Sequence, residues 1–282
     1  MPELPEVETV RRGLAPVMEG KTVRAVSVAR PDLRFPFPPR FAERVTGARI
    51  ERLGRKAKFL AAELSTGEVL IMHLGMSGRF SIGGSGAIGT YAQDTGGNPA
   101  HDHVVFHIQD DTTVTYNDPR RFGFMELWPS DTFDSYPRLK SLGPEPLSNL
   151  FSAAHLDRAL KGKQTPIKSA LLDQSIVAGL GNIYVCEALH RSGISPRRKA
   201  STIPGTRAIR LAPAINETIA EAIDAGGSTL RDFAHADGAL GYFQHRFRVY
   251  DRAGEPCPVC TSPIRRIVQS GRSTFFCGTC QR

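Results

Sequence analysis

Four cysteines near the end of the chain form two Cys-x-x-Cys pairs, Cys257-Pro-Val-Cys260 and Cys277-Gly-Thr-Cys280, with sixteen residues between them. Each pair supplies two thiolates from one tight turn, and the stretch between them is long enough to fold back as a hairpin. Two disulfides are the alternative, but the chain has no other paired cysteines. Because four sulfur ligands leave no position for water or substrate, we predict one structural Zn²⁺.

The segment that carries these cysteines is basic. From residue 241 to the end there are seven arginines against Asp251 and Glu255. The whole chain of 282 residues has 36 Lys and Arg against 28 Asp and Glu, a net charge of +8. Such an excess favours a phosphate backbone as partner but says nothing about base sequence. A basic, metal-bound hairpin therefore indicates nucleic-acid binding, with a solvated basic surface as the alternative.

The N-terminus is the second place where residue types suggest chemistry. A small residue such as Pro2 favours removal of the initiator methionine, which leaves a free secondary amine. An α-amino group titrates near pH ~8, well below a lysine near ~10.4, so it is substantially neutral in cells. Flanked by Glu3 and Glu6, this amine can form a Schiff base with a sugar aldehyde carbon while a carboxylic acid transfers protons. The spacing alone leaves open that these residues only begin and cap a helix.

The residues that follow predict a helix able to position this terminus. Pro5 suits a first helical turn, and Val7, Val10 and Leu14 recur on one apolar face. Acidic residues in the first turn complement the positive end of the helix dipole.

Between about residues 20 and 130, apolar residues come in short runs bounded by Gly, Asp or Pro. Such runs predict an antiparallel sandwich or barrel. The glycine-rich segment 83–97 has little to pack and predicts a long flexible loop. The runs are Val23–Val28, Phe59–Leu64, Val69–Ile71, Val104–Phe106 and Val114–Tyr116.

After about residue 150 the apolar residues recur at helical spacing. Pro213 predicts that the last helix starts or kinks there, and Gly226-Gly227 predicts where it ends. The following residues, to about 241, are interpreted as a loop. The predicted helical windows lie around Leu156, Leu171, Ile183–Leu189 and Ile215–Ile223.

Composition limits the class of protein. With 40% hydrophobic residues, the chain can fill the cores of two domains and carry a small metal-bound module. We find no apolar run long enough to span a bilayer and no basic, apolar leader. Thiolate ligands with only Cys186 to spare fit a reducing cytoplasm. We therefore predict a cytoplasmic, nucleoid-associated protein without a membrane partner.

Taken together, a series of short motifs resembles the formamidopyrimidine-DNA glycosylase family, bifunctional base-excision enzymes that remove oxidised purines such as 8-oxoguanine. The resemblance covers nearly the whole chain, and its specificity comes from the combination and order of the motifs. They are PELPEVETVRRGL from residue 2, RKAKFL at 55–60, HLGMSGR at 73–79, HDHV at 101–104, DPRRFG at 118–123, LGPEPL at 142–147, AGLGNIYVCEAL at 178–189, RDFAHADG at 231–238, GYF at 241–243 and the four-cysteine module.

The resemblance implies catalytic roles for five residues. Pro2 matches the nucleophile that attacks the deoxyribose C1′ and displaces the damaged base. Glu3 matches the acid that assists ring opening, and Glu6 a further carboxylate of that site. Lys58 matches a lysine that assists β-elimination, although by itself it would be interpreted as a surface lysine at a strand end. Arg272 matches the zinc-finger arginine that holds a phosphate and assists δ-elimination.

Other matched residues are implied in DNA binding. An enzyme that acts on a base must take it out of the stack, and something must fill the gap. Met76 and Phe122 resemble the wedge residues that do so, with Arg120 or Arg121 reaching the orphaned cytosine. Core packing is the alternative for Met76. Further DNA-backbone contacts are implied at His101, Lys163 and Asn182, the last of these in the GLGN turn of a helix–two-turn–helix motif.

The resemblance implies an α+β multidomain fold. We expect an N-terminal antiparallel β-sandwich with an N-terminal helix over residues 1–144, a helical helix–two-turn–helix domain over 145–240, and a C-terminal zinc finger hairpin over 241–282. The expected partner is damaged double-stranded DNA, bound by a monomer, and the chemistry needs no organic cofactor.

Two other functions stay open. One keeps the fold but changes the substrate, as in endonuclease-VIII-like glycosylases for oxidised pyrimidines; the opening PELPEVET favours the purine enzyme. The other is a non-catalytic zinc-ribbon DNA-binding module, which would not need Pro2, Glu3 and Lys58 together.

Overall fold

A computed structural model describes residues 2–84, 98–228 and 242–282. These residues form two compact units: an N-terminal unit, up to residue 140 together with 225–242, and a C-terminal unit of 141–224 and 243–282. The three-domain division stays a prediction. Within the described ranges, no helix combines the length and the apolar character needed to cross a bilayer.

The N-terminal unit consists of two four-stranded antiparallel sheets. Numbered along the chain, the first sheet has the order β1 (Val23–Val28), β6 (Asp102–Ile108), β7 (Thr112–Asn117) and β5 (Arg79–Gly84). The second has the order β2 (Ile50–Lys56), β3 (Phe59–Leu64), β4 (Glu68–His73) and β8 (Phe124–Pro129). The described residues of this unit also form helices α1 (Leu4–Met18), α2 (Phe41–Val45) and α3 (Pro137–Lys140) and the 3₁₀ turns Pro99–His101, Gln109–Asp111 and Ser130–Ser135.

Helix α1 packs its predicted apolar face into the core shared by the two sheets. Val7, Val10 and Leu14 are at most 1% exposed and belong to the same cluster as residues of both sheets. Pro5 lies in the first turn, where its missing N–H costs no hydrogen bond. The first residues of the chain are therefore fixed to the core.

Each of the five predicted apolar runs lies in a strand: β1, β3, β4, β6 or β7. The prediction of a loop from residue 83 is wrong for its first two residues, because Gly83 and Gly84 pair with Thr113 and Thr112 at the edge of the first sheet. Backbone pairing needs no side chain, and edge strands tolerate glycine. Residues 85–97, the rest of the predicted loop, lie outside the described residues.

The C-terminal unit begins with α4 (Ala153–Leu160), α5 (Ile167–Leu171), α6 (Asn182–Arg191) and α7 (Thr206–Asp224), with 3₁₀ turns at Ala200–Thr202 and Phe243–Arg246. The predicted start of the last helix at Pro213 is wrong, since α7 continues through it. Leu211 before Pro213 and Ile215 and Ile219 after it are fully buried. Their burial stabilises the helix on both sides of the proline and offsets the ~3 kcal/mol cost of a proline inside a helix. The helix ends before Gly226-Gly227 as predicted, both at positive φ, while the predicted loop at 229–241 lies outside the described residues.

The predicted C-terminal hairpin is confirmed. Strands β9 (Ile264–Gln269) and β10 (Arg272–Cys277) pair antiparallel. Ser270 and Gly271 connect them at φ values of 49° and 72°. Positive φ at both central residues is typical of the type I′ turn, whose twist matches a hairpin.

Candidate active site and metal centre

Two buried carboxylates lie at the start of α1 beside Pro2, which is itself buried. Glu3 and Glu6 are each 2% exposed. The Glu6 carboxylate accepts the backbone N–H of Glu3 at 2.9 Å, and its other oxygen accepts the N–H and hydroxyl of Ser228 at 2.9 and 3.0 Å. Glu6 thus fixes the backbone that carries Glu3 and Pro2. Nothing in the sequence singled out Ser228, because it lies more than two hundred residues away.

The structure brings the turn with Lys58 to the same helix. Lys58 and Ala57 connect β2 to β3, and Lys58 is only 8% exposed, so the surface-lysine interpretation is wrong. Arg55 donates to the Ala57 carbonyl at 2.9 Å and to Glu8 of α1 at 3.2 Å. Burial alone would raise the pKa of Glu8, but hydrogen bonds from two arginines of its own helix and the charge of Arg55 lower it to about 2. Arg55 and Glu8 therefore tie the lysine turn to α1, whose first residue, Leu4, lies two residues after the candidate nucleophile Pro2.

His73, the last residue of β4, lies near Lys58 and was not singled out by the sequence analysis. Burial, followed by the positive charge of nearby Lys58, lowers the pKa of His73 to about 4, so its ring is neutral at pH 7. Nδ1 accepts the N–H of Gly75 at 3.0 Å, which leaves the ring proton on Nε2 as a hydrogen-bond donor. The rings of Phe59 and Phe124 lie 5.1 and 5.2 Å from it. The signal in the sequence that could have identified His73 was its position as the first residue of the HLGMSGR motif.

Met76 and Phe122 lie on two loops whose backbones touch. Met76 follows β4 and Phe122 precedes β8. Gly75 has φ of 63°, and a Cβ there would lie 2.3 Å from the Phe122 carbonyl carbon and 2.4 Å from the Gly123 nitrogen. Phe122 is 43% exposed and Met76 is half-buried outside the core cluster, which argues against core packing for both.

Three further predicted DNA contacts, Arg120, Arg121 and His101, are connected to the loop that carries Phe122. The Arg120 guanidinium lies 4.8 Å from the Phe122 ring centroid, a cation–π distance. Arg121, at φ of 55°, donates its N–H to the Asp118 carbonyl at 3.1 Å. The N–H of Asp118 in turn donates to the His101 carbonyl at 3.0 Å. His101, Arg120, Arg121 and Phe122 therefore share one framework.

In the C-terminal unit, Asn182 and the zinc-finger hairpin meet at one carbonyl oxygen. Asn182 begins α6, and its amide donates to the Ser273 carbonyl at 2.9 Å. The fully buried Lys168 donates to the same oxygen at 3.1 Å. Ser273 follows Arg272, which is exposed at the first residue of β10. Lys163 is exposed in the segment between α4 and α5.

The four predicted cysteine ligands meet around one point. Their sulfurs lie within 4.8 Å of one another, with Cys257–Cys280 at 3.9 Å and Cys260–Cys277 at 3.4 Å. A tetrahedron with Zn–S bonds of ~2.3 Å has sulfur–sulfur edges of about 3.8 Å, so the cluster fits zinc. The disulfide alternative is wrong, because all four cysteines are free.

Helix α6 anchors this metal centre from the side. The carboxylate of Glu187, 3% exposed, accepts the backbone N–H groups of Arg248, Val249 and Tyr250 at 2.8 to 3.0 Å. Nε2 of His190 lies 3.4 Å from the Cys257 sulfur, within reach of an N–H···S hydrogen bond. The helix that begins at Asn182 therefore also orients the segment leading to the cysteines.

Family models match three parts of the chain. Residues 1–125 match the formamidopyrimidine-DNA glycosylase N-terminal domain, and residues 142–234 match the H2TH domain of the same family. Residues 254–282 match the zinc finger found in FPG and IleRS.

Known proteins resemble the chain over its full length. The formamidopyrimidine-DNA glycosylase of Ruegeria pomeroyi is 58% identical over 100% of both chains. The crystal structure of MutM (Fpg) from Thermus thermophilus is 40% identical, with a TM-score of 0.86 over 99% of this chain and 98% of that one. Lactococcus lactis Fpg is 33% identical, with a TM-score of 0.88 over at least 99% of both chains, in complexes with DNA containing N7-benzyl-Fapy-dG, an abasic site or an oxidised pyrimidine.

Proposed function

The chain belongs to the formamidopyrimidine-DNA glycosylase family, and we propose that it removes oxidised purines, 8-oxoguanine and formamidopyrimidines, from duplex DNA and cleaves the resulting abasic site. The observation that carries this proposal is the buried group of Pro2, Glu3 and Glu6, tied through α1 to the turn of Lys58. A zinc-ribbon binding module would have no use for such a group.

In the proposed reaction the free amine of Pro2 attacks C1′ of the damaged nucleotide. The C1′–N9 bond breaks, and the base leaves with the bonding electrons and takes up a proton. The Pro2 nitrogen loses its proton after the attack, and Glu3 donates a proton to the ring oxygen as the sugar opens, which leaves a positively charged imine (an iminium ion) between the Pro2 nitrogen and C1′. Glu6, held by Ser228, keeps Glu3 in place.

The imine then withdraws electrons and acidifies the C2′ proton. Loss of that proton expels the 3′ phosphate, with Lys58 assisting, and a second elimination expels the 5′ phosphate, which Arg272 holds. Each elimination breaks one C–O bond and leaves the electron pair on the phosphate oxygen. Zinc supplies no step in this scheme; four thiolates would hold it as a structural ion beneath the hairpin that carries Arg272.

For base flipping we assign the wedge to Met76 and Phe122, and the arginine that reaches the orphaned cytosine to Arg120. The Arg120 guanidinium already covers the Phe122 ring, so it enters the duplex with that side chain. His101, Arg121, Lys163 and Asn182 would contact the DNA backbone. Met76→Ala should slow excision from a paired lesion far more than cleavage of a preformed abasic site, where no base is left to flip. Equal losses on the two substrates would contradict the wedge.

The substrate is tested by two duplexes in one assay, one with an 8-oxoguanine:cytosine pair and one with thymine glycol. We expect faster single-turnover excision from the first. An oxidised-pyrimidine enzyme is the second candidate, supported by the oxidised-pyrimidine complex of the Lactococcus lactis relative. Faster excision from the thymine-glycol duplex would establish that alternative. Glu3→Gln should suppress excision by either route yet leave DNA affinity largely intact, because phosphate contacts dominate affinity.

We also propose that the protein acts as a monomer, and that it does so in the cytoplasm on the DNA of the nucleoid. Four thiolates kept free for a metal suit a reducing compartment. Sedimentation of the protein with and without a lesion duplex tests the stoichiometry, with one chain per lesion expected.

A further inference from the structure

We propose that Asp118 is a positioning residue for base flipping, because it locks the two wedge loops into one rigid probe through Ser77. This inference rests on the proposed function, since it concerns the loops that carry Met76 and Phe122. Asp118 is fully buried and has no atom available to DNA in this structure. Its effect must therefore pass through the residues it holds.

The carboxylate of Asp118 accepts three hydrogen bonds. The Ser77 hydroxyl donates to one oxygen at 2.6 Å. The Gly123 N–H and the Tyr116 hydroxyl donate to the other oxygen at 2.9 and 3.2 Å. Burial, followed by the negative charge of Asp118, raises the pKa of Tyr116 well above its usual value, so that hydroxyl keeps its proton and stays a donor. A carboxylate can accept several such bonds, and these neighbours supply them from both loops.

The residues held by Asp118 are the immediate neighbours of the wedge. Ser77 follows Met76, and Gly123 follows Phe122. The Ser77 hydroxyl also accepts the backbone N–H of Arg120 at 3.2 Å, so one hydroxyl group joins the Met76 loop to the arginine that stacks on Phe122. Met76 and Phe122 are thus each one residue from a group fixed by this network, and the backbone N–H of Arg120 is held by it directly.

The backbone of Asp118 extends the same framework. Its N–H donates to the carbonyl of His101, and its carbonyl accepts the Arg121 N–H at 3.1 Å and Nε2 of His103 at 2.9 Å. His103 is buried, so this bond is shielded from water. All the predicted DNA contacts of the N-terminal unit therefore connect to one buried residue.

A rigid probe matters at one step in particular. Pushing a side chain into the base stack costs free energy, and a loop that must first be ordered adds its own conformational entropy to that cost. Loops that are already locked together avoid this second cost. Loss of the link should therefore slow flipping of a paired base and spare later chemistry at an abasic site.

The test compares two variants that each remove one hydroxyl donor from the same carboxylate. Ser77→Ala breaks the link to the Met76 loop, whereas Tyr116→Phe leaves that link in place and serves as the matched control. We expect Ser77→Ala to slow single-turnover excision at an 8-oxoguanine:cytosine pair by about 10- to 100-fold, the scale of a small misplacement. Strand cleavage at a preformed abasic site should stay at the wild-type rate, and Tyr116→Phe should be much closer to wild type on the paired lesion.

A third substrate separates positioning from general damage. Mismatches flanking the lesion weaken its stacking and pairing, so they should restore much of the Ser77→Ala rate. Equal loss on paired and abasic substrates, or an equal defect in Tyr116→Phe, would overturn the inference. If the wild-type protein excises the lesion and Ser77→Ala matches it, only the role of Asp118 fails; if the wild-type protein excises nothing, the proposed function fails.

Discussion

Gly75→Ala should separate the two wedge loops with the smallest possible change to the chain. Gly75 combines a φ of 63° with backbone contact across the loops. A Cβ at this position would lie 2.3 to 2.6 Å from three backbone atoms of Phe122 and Gly123. Ordinary contacts of this kind begin near 3.4 Å, so one loop must move by roughly 1 Å.

The cost has two parts that a second glycine can separate. An alanine in the left-handed region costs roughly 1–2 kcal/mol, and forced overpacking adds typically about 1–3 kcal/mol. Gly67, in the turn between β3 and β4, has φ of 80°, and a Cβ added there would meet no atom within 4 Å. Gly67→Ala therefore carries the backbone cost alone, and Gly75→Ala should be less stable than this control by about 1–3 kcal/mol.

Urea unfolding gives the free energy of each variant, and single-turnover kinetics on paired and abasic duplexes give the functional cost. We expect Gly75→Ala to lose excision of a paired lesion far more than abasic cleavage, while Gly67→Ala keeps both. Equal unfolding free energies for the two variants, or equal losses on the two duplexes, would refute the packing argument.

Three further predictions concern the metal, a carboxylate and a histidine. Cys277→Ser, or chelation, should lower bound zinc measured by mass spectrometry and abolish DNA binding while the strand signal of the N-terminal unit survives; unchanged binding by metal-free protein would contradict a structural zinc. Glu187→Gln should cost about 1.5–3 kcal/mol in urea unfolding, because its amide would face one of three backbone N–H donors, and a cost near zero would show that the anchor is dispensable. Burial lowers the pKa of His73 from the usual ~6.5 to about 4 in the folded protein. As the pH falls, the unfolded chain therefore takes up the proton first, so the free energy of unfolding should fall by up to about 3 kcal/mol between pH ~6.5 and ~4. In His73→Gln, the urea unfolding midpoint should depend less on pH over that range than in the wild-type protein. An unchanged pH dependence would contradict the lowered pKa of His73.

The fold followed from patterns that are local in the chain. The apolar runs that became strands, the face of α1 and the cysteine spacing each depend on neighbours within a few residues. Of the two alternatives for Pro213, a helix start at this residue was wrong, because the helix is stabilised by burial of Leu211 and Ile219, which local propensity does not report. The loop prediction for Gly83 was wrong because backbone pairing with Thr113 holds this residue in a strand, although it has no side chain to pack.

The site was predictable only as far as motifs reach. Pro2 and the cysteines stood out by position and spacing, and the structure shows Glu6 beside Glu3. Ser228 and Asp118 did not stand out, because their importance lies in partners far along the chain. A serine or aspartate at a loop is common, and only three-dimensional contact distinguishes one that holds a carboxylate or joins two loops.

The central claim is that the amine of Pro2 is the nucleophile. Borohydride added during reaction with an 8-oxoguanine:cytosine duplex should reduce the imine to a permanent protein–DNA adduct. Peptide mapping should place that adduct on Pro2, and it should disappear when an extension precedes Pro2, because an amide nitrogen cannot form the imine. An adduct that persists with the blocked terminus, maps to Lys58, or never forms on lesion or abasic duplexes would contradict the account.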